Sequence, residues 1–316
     1  SALPDITFIL DGRAPANTKP VRVVRLPGSG FEYSGGGTTV EQLAMEDASG
    51  RDFNEFMETE VLRPLAMRRS TFAQPLPAAR WVTAATGYRA GGAAVEGRAH
   101  AYPEQAAAGL WTTPSDLARM LIGVRRVLLG ESDFLPAPLA RQLLERQAGG
   151  PVGIGFFVEG EGDSLRFGHG GSNEGFRAQM WMYRASGDGA VVMTNSDEGQ
   201  KLASEILATI AAANGWPGYL TPELEVRALP AATLDRYVGT YTTEKFPPVT
   251  VTRSADGLTF ELQGDRPMRM LPLGPEEFAL AESDARIRFP GAPAAVRTME
   301  ARVSGLTIVF QRAGGD

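Results

Sequence analysis

The sequence predicts an α+β protein: a domain in which helices flank an antiparallel sheet, followed by a small antiparallel β-barrel. Three observations predict it. Helical and strand periodicities are mixed over residues 1–216, short alternating strands fill residues 231–316, and a proline-rich segment, 217–230, lies between them. A chain of 316 residues also suits two domains, because single cores usually stop growing near ~250–300 residues.

Polar residues that can cap the first turn of a helix predict the helices of the first domain. The strongest signal is Thr113-Pro114-Ser115-Asp116, which combines an N-cap hydroxyl, proline at the first helical position and an acid at the third. The predicted helices are 40–46 after Thr38-Thr39 and before Gly50, one from Asp52 that ends before Pro64, one from Thr113, and 138–147.

From Val152 the hydrophobic period changes from helical to strand-like. Four consecutive antiparallel strands are predicted at 154–158, 165–169, 176–183 and 190–194. A long helix is then predicted over 198–213. Its apolar stripe, which we expect to cover one face of the sheet, contains Leu202, Ile206, Leu207 and Ile210.

Beyond the proline-rich segment, the pattern is almost wholly strand. Many short strands in a region of this length imply a small antiparallel barrel or a closed sandwich. The region carries no constellation of reactive side chains. The predicted strands are 249–253, 258–262, 268–271, 277–281, 286–289, 297–303 and 306–312.

Composition excludes several classes of function. The chain has no cysteine, which excludes thiol chemistry, disulfides and Cys/His zinc sites. The net charge is −6 and no run of Lys or Arg occurs, so nucleic-acid binding is not expected. No apolar run approaches the ~18–20 residues that span a bilayer. We predict no cofactor and no metal.

One glycine-rich segment, residues 167–176, has features of a substrate-binding strand. Paired glycines allow a substrate backbone to lie directly against the protein backbone, because no Cβ holds it away. His169 precedes them and can supply a proton or a hydrogen bond. The alternative interpretation is a tight turn with a solvated histidine. The other histidine, His100, is interpreted as a loop residue.

Four short segments of the first domain occur in a characteristic order. They are Tyr33-Ser34-Gly35-Gly36-Gly37, Leu62-Arg63-Pro64-Leu65-Ala66-Met67, residues 108–118 (AGLWTTPSDLA) and His169-Gly170-Gly171-Ser172. In this order they resemble the class C β-lactamase and penicillin-binding-protein-like serine hydrolases. The β-rich C-terminal region similarly resembles the lipocalin-like barrel that many of these hydrolases carry.

The resemblance implies roles for particular residues. Tyr33 matches the tyrosine that helps to activate the serine nucleophile, and His169 matches the residue that opens the Lys-Thr-Gly motif. The backbone N–H of Ser172 matches one oxyanion-hole donor. Gly170, Gly171, Ser172 and Asn173 are the predicted substrate-binding residues. The implied substrate is a small ester, amide or β-lactam. The implied location is periplasmic or secreted, although the composition also suits the cytoplasm.

The sequence departs from the family pattern in two ways. Gly35 stands where the family often has asparagine, so a side chain that holds the acylamide of a β-lactam is missing. The family's Ser-x-x-Lys nucleophile motif is also absent, because the residues three positions before the lysines are not serine. The lysines are Lys19, Lys201 and Lys245, preceded by Ala16, Glu198 and Thr242. In relatives this motif lies upstream of the tyrosine motif, which places its counterpart before Ser1.

Three interpretations of function follow. The first is the C-terminal part of a serine hydrolase that acts through an acyl-enzyme, with an incomplete N-terminus; alone, it is expected to be inactive. Its partner would be its own N-terminal segment or a second copy of the chain. The second is a non-catalytic protein that binds its ligand in the same groove. The third is binding of a small ligand by the β-barrel.

Overall fold

The computed structural model describes residues 3–220, 224–244, 246–281, 283, 285–291, 296–303 and 306–314. The chain divides into two compact units, Ser1–Leu220 and Thr221–Asp316. The division falls within the proline-rich segment.

A four-stranded antiparallel sheet forms the centre of the first unit, with the strands in sequence order. The third and fourth strands were predicted with nearly the observed bounds, whereas the second continues to Asn173, four residues beyond its predicted end. The first is shorter than predicted, because Gly155 has a φ of 81° and interrupts the extended backbone before it. The strands are β1 (Phe157–Glu159), β2 (Arg166–Asn173), β3 (Phe176–Tyr183) and β4 (Gly189–Thr194).

Helices cover both faces of this sheet. Met182 packs in the core that contains Leu117 and Leu121, whereas its neighbour Tyr183 packs with Ala211. Adjacent strand residues point to opposite faces, so these helices lie on opposite sides. No described helix is long and apolar enough to cross a membrane. The helices are α1 (Ile6–Asp11), α2 (Gly35–Ser49), α3 (Phe53–Met57), α4 (Gln105–Ala108), α5 (Pro114–Leu128), α6 (Ala137–Leu143) and α7 (Gly199–Asn214), with a π-helical turn at Glu58–Leu62.

Two predicted caps are confirmed and one is wrong. Asp52 accepts a hydrogen bond from the Glu55 N–H, and the Thr113 side chain caps α5. Helix α2 begins earlier than predicted, because Ser34, not Thr38 or Thr39, accepts the hydrogen bond from Gly37 N–H at 3.0 Å. Its first turn consists of glycines, and in a first turn the backbone N–H groups have no hydrogen-bond partner within the helix, whatever the residue.

Helix α6 ends at Leu143, four residues before the predicted end. The Leu143 carbonyl accepts a hydrogen bond from Ile154 N–H at 3.1 Å. A Cβ at Gly153 would lie 2.0 Å from that same oxygen. The chain therefore folds back on the end of the helix and stops its continuation.

The apolar stripe predicted on α7 is only partly buried. The residues that face the sheet are Gly199, Ala203, Leu207 and Ala211, spaced four apart, and all are buried. Leu202 is 53% exposed and Ile206 is 37% exposed. The helical period was predicted correctly, but of the predicted stripe only Leu207 is among these buried residues, and the other three are glycine or alanine.

The second unit is a closed eight-stranded antiparallel barrel. All seven predicted strands are present, and an additional one, β5, pairs with both β12 and β6 and so completes the closure. A short helix, α8 (Ala231–Leu234), precedes it. The barrel strands are β5 (Gly239–Thr242), β6 (Val249–Ser254), β7 (Gly257–Leu262), β8 (Met268–Pro272), β9 (Glu277–Leu280), β10 (Arg286–Arg288), β11 (Thr298–Val303) and β12 (Leu306–Arg312).

Aromatic side chains occupy the interior of this barrel. The ring centres of Tyr237, Phe278 and Phe289 lie 4.6–5.7 Å from one another. The Tyr241 hydroxyl donates to the Tyr237 carbonyl at 2.8 Å, and burial raises the pKa of Tyr241 to about 12. These aromatic side chains form part of the buried core of the barrel.

A buried carboxylate joins the start of α5 to the chain before it. Asp116 is 1% exposed and accepts hydrogen bonds from Arg69 N–H and from the Ser70 hydroxyl, both at 2.8 Å. Its other oxygen pairs with Arg119 at 2.6 Å. Removing such a carboxylate leaves three donors without their acceptor.

We expect Asp116→Ala to lower the free energy of unfolding of the first unit by about 3 kcal/mol. All four tryptophans lie in this unit, at positions 81, 111, 181 and 216, so urea unfolding followed by tryptophan fluorescence measures it selectively. Asp133→Ala, at an exposed position, is the control. A loss for Asp116→Ala below about 1 kcal/mol would contradict the structural role assigned to this carboxylate.

Candidate active site

Strand β2 pairs with β3 along its whole length but with β1 along only part of it. The β2–β3 register runs from Arg166 opposite Tyr183 to Asn173 opposite Phe176. Strand β1 pairs only with residues 166–168. From His169 onward, the β1 side of β2 therefore has no strand partner in the described chain. An unpaired edge of this kind can take up another extended backbone.

The glycines along β2 differ in the room around them. A Cβ at Gly168 would lie 1.9 Å from the Met180 carbonyl oxygen, so packing within the sheet requires this glycine. A Cβ at Gly170 or Gly171 would meet its nearest atom only at 3.5 Å, which is an ordinary contact. Folding therefore does not require these two glycines, and both are exposed.

Tyr33 lies next to this edge. It directly precedes the N-cap of α2, and its side chain is 62% exposed. Its ring centre lies 6.1 Å from that of His169 and 6.2 Å from that of Phe157, with which it stacks. Within the described chain, the Tyr33 hydroxyl has no hydrogen-bond partner. It is therefore free to contact a bound molecule.

His169 is half-buried, with Phe157 5.3 Å away between ring centres. Its Nδ1 forms a hydrogen bond with the Gly170 carbonyl oxygen. A carbonyl oxygen can only accept, so Nδ1 carries the proton, and Nε2 is the basic nitrogen of the neutral ring. The structure thus brings together the two reactive side chains that the sequence singled out. Phe157, which contacts both, was predicted only as a strand residue.

The remaining predicted substrate-binding residues lie farther along the same strand. Ser172 is exposed, and Asn173 is partly buried. The Asn173 side-chain amide donates to the Ala108 carbonyl oxygen at 2.9 Å. This hydrogen bond attaches the end of β2 to the end of α4. Asn173 therefore has a structural contact that the sequence did not indicate.

Beyond Asn173, a charged group follows that sequence analysis missed. The Glu174 carboxylate binds Arg89 through one oxygen and His100 through the other. Hydrogen bonds from Arg89 and then from His100 lower the pKa of Glu174. His100 is a loop residue, as predicted. An acidic residue in a short turn usually faces solvent, so this contact had no signal in the sequence.

The serine next to Tyr33 and the two histidines do not form an activated nucleophile pair in the described chain. The Ser34 hydroxyl, next to Tyr33, accepts the capping hydrogen bond of α2. Neither His100 nor His169 is hydrogen-bonded to a serine hydroxyl. Among the described residues, no group of three or more acidic or histidine side chains is arranged to hold a metal ion.

Three comparisons relate this fold to known proteins. The family model described as beta-lactamase matches residues 11–214. The structure of SurE with D-Leu has a TM-score of 0.57 and 22% identity, with 99% of this chain and 73% of that chain covered. The octameric penicillin-binding protein homologue from Pyrococcus abyssi has a TM-score of 0.51 and 17% identity, with 96% and 74% covered. No curated protein sequence matches the chain.

The two structures share the fold at an identity too low to carry function across. The family match, by contrast, spans more than half of the chain and includes Tyr33, His169 and the segments that resemble serine hydrolases. It confirms the family resemblance seen in the sequence. The observed arrangement of a helix-flanked antiparallel sheet and a separate barrel agrees with it. The chain belongs to the beta-lactamase family of hydrolases.

Proposed function

We propose that this chain forms most of the site of a serine hydrolase that acts through an acyl-enzyme. The reaction is of the β-lactamase, D-alanyl-D-alanine carboxypeptidase or esterase type. The nucleophilic serine comes from a segment outside these 316 residues. The observation that carries the proposal is the placement of Tyr33 and His169, 6.1 Å apart between ring centres, beside the open edge of β2.

The two side chains supply complementary groups. The unpaired Tyr33 hydroxyl can exchange a proton with a serine that enters the site, and the basic Nε2 of His169 can accept a hydrogen bond from that hydroxyl or from the substrate. Phe157 packs against both rings and restricts their motion. Acyl transfer needs a group beside the nucleophile that can take up its proton.

The open edge supplies the substrate site. An acyl compound with an extended backbone can pair with residues 170–172, and the small glycines allow close approach. In this proposal, the Ser172 N–H stabilises the oxyanion, while the nucleophile's own N–H provides the second donor. Asn173 lies at the far end of the same strand, where its carbonyl oxygen accepts a hydrogen bond from Arg177 and its side-chain amide donates to Ala108.

Features at the opposite edge of the sheet, formed by β4, support a nucleophile carried by a further segment. No strand in the described residues pairs with the outer edge of β4. Leu202 and Ile206 of α7 are exposed, and Met193 of β4 is 37% exposed. Unpaired edges and apolar patches of this kind usually acquire a partner, which would be the chain's own N-terminal segment or a second copy.

Gly35 sets the expected preference among substrates. The position lacks an amide side chain that would hold an acylamide, and a Cβ there would have nothing within 4 Å. We therefore propose that small activated esters or amides are better substrates than penicillins.

The nucleophile can be tested by labelling with a fluorophosphonate. We expect no label on this chain alone and stoichiometric label on the serine of the upstream segment after that segment is added. Stoichiometric labelling of the isolated chain would instead place the nucleophile within these residues. Absence of label in both mixtures, together with ligand binding, would favour the non-catalytic binding protein.

In the complete protein, we expect His169→Ala to lower kcat on an activated ester by about 10- to 1000-fold, because an orienting or oxyanion-type contact is lost. Tyr33→Phe removes only the hydroxyl and should lower kcat in the same range. Tyr88→Phe, another exposed tyrosine of this unit, is the control. Unchanged kcat in both site variants would refute their catalytic roles, and faster turnover of a penicillin than of any ester would refute the interpretation of Gly35.

Two glycine substitutions separate the substrate edge from the fold. Gly171→Ala should leave the unfolding free energy nearly unchanged and raise KM by about 10-fold, because its Cβ enters the space of the bound backbone. Gly168→Ala should destabilise the first unit by more than about 2 kcal/mol through the clash with Met180. Urea unfolding and steady-state kinetics measure both. An unchanged KM for Gly171→Ala would remove the edge as substrate site.

A further inference from the structure

Glu174 joins two parts of the first unit that are distant in sequence. The first is the turn between β2 and β3, at the end of the proposed substrate edge. The second is the segment 86–100, which folds into a hairpin through hydrogen bonds such as Gly87 N–H to the Arg98 carbonyl at 2.8 Å. Both cations that bind the Glu174 carboxylate, Arg89 and His100, come from this segment.

Backbone packing brings the same two parts into direct contact. A Cβ at Gly87 would lie 2.6 Å from the Phe176 ring, and a Cβ at Gly175 would lie 2.8 Å from the Gly87 Cα. Gly175 also has a φ of 80°, a conformation that favours glycine. The turn and the segment 86–100 therefore touch closely at Gly175 and Gly87, and the ion pairs of Glu174 join the same two parts.

A second acid, in the loop that follows β4, supports the turn. Asp197 accepts a hydrogen bond from Gly175 N–H at 2.8 Å and pairs with Arg177 at 2.9 Å. Its own N–H donates to the Tyr88 carbonyl at 2.9 Å. Asp197 thus attaches both the turn and the segment 86–100 to the sheet. Glu174 is the direct side-chain connection between the turn and that segment.

The contact between the turn and the segment 86–100 lies directly beyond the proposed substrate-binding residues. Residues 170–172 are exposed and have no partner on the β1 side, so their placement depends on β3 and on the turn that follows. Asn173 and Glu174 are the first residues after them that bond to other segments. At ~3.3 Å per residue, Glu174 lies only about 7 Å along the chain from Ser172.

We infer that Glu174 is a positioning residue. By binding Arg89 and His100, it fixes the far end of the substrate edge against the segment 86–100, so that an extended substrate finds residues 170–173 already in place. The inference rests on the proposed function. A substrate that contacts only the reacting centre does not depend on this end of the edge.

The test compares two substrates in the complete protein. Glu174→Gln keeps the shape of the side chain and removes its charge. We expect its KM to rise about 10-fold for an extended peptide-like ester and to stay within about two-fold of wild type for p-nitrophenyl acetate, with similar kcat values. Glu96→Gln, an exposed acid in the same segment, is the matched control.

Other outcomes would overturn the inference. Equal losses on both substrates would mean a general structural role, and unchanged KM for the extended ester would mean no role in positioning. Failure of the wild-type protein to turn over either ester would count against the proposed function instead. In that case, hydrogen exchange tests the role of Glu174 without any substrate. Glu174→Gln should speed amide exchange in residues 86–100 and 170–175. Unchanged exchange in these segments would refute the role of Glu174 in holding them together.

Discussion

The register between β2 and β3 is the constraint on which the candidate site depends. Phe167 lies opposite Met182 and packs in the core beneath α5, so His169, two residues later, lies on the same face of the sheet. A shift of one residue would place His169 on the face covered by α7, away from Tyr33. The clash that a Cβ at Gly168 would make with the Met180 carbonyl shows how closely the two strands approach.

Tyr33 reaches the site from a distant part of the sequence, through contacts that hold α2. Gln42 is 3% exposed; its amide nitrogen donates to the Pro103 carbonyl at 3.3 Å, and its oxygen accepts from Ala106 N–H at 3.1 Å. Helix α2 is thereby attached to the region of α4, whose last residue, Ala108, accepts from Asn173. One set of hydrogen bonds therefore positions both the tyrosine and the far end of the substrate edge.

The features that depend on local sequence could be predicted, whereas those that depend on tertiary packing could not. Thr113 caps α5 because its hydroxyl and Pro114 act within a single turn. The exposure of Leu202 could not be inferred from its helical spacing, since burial depends on what lies opposite. Glu174 was missed for the same reason, because both of its partners lie more than 70 residues away. The family motifs drew attention to Tyr33 and His169, but only the structure shows how far apart their rings are.

Within the described residues, β2 beyond His169 and β4 each present an edge without a strand partner, and the surroundings of these two edges differ. The edge of β2 beyond His169 carries Gly170 and Gly171, with polar groups at both ends. Such an edge suits the backbone of a ligand that binds and then dissociates. The edge of β4 lies beneath a helix whose exposed Leu202 and Ile206 would be covered only by apolar surface. Burying such residues favours a permanent partner, because the apolar area removed from water stabilises the assembly for as long as it is covered. The difference between the two edges agrees with the proposed function, in which the β2 edge binds the substrate and the β4 edge accepts a further segment.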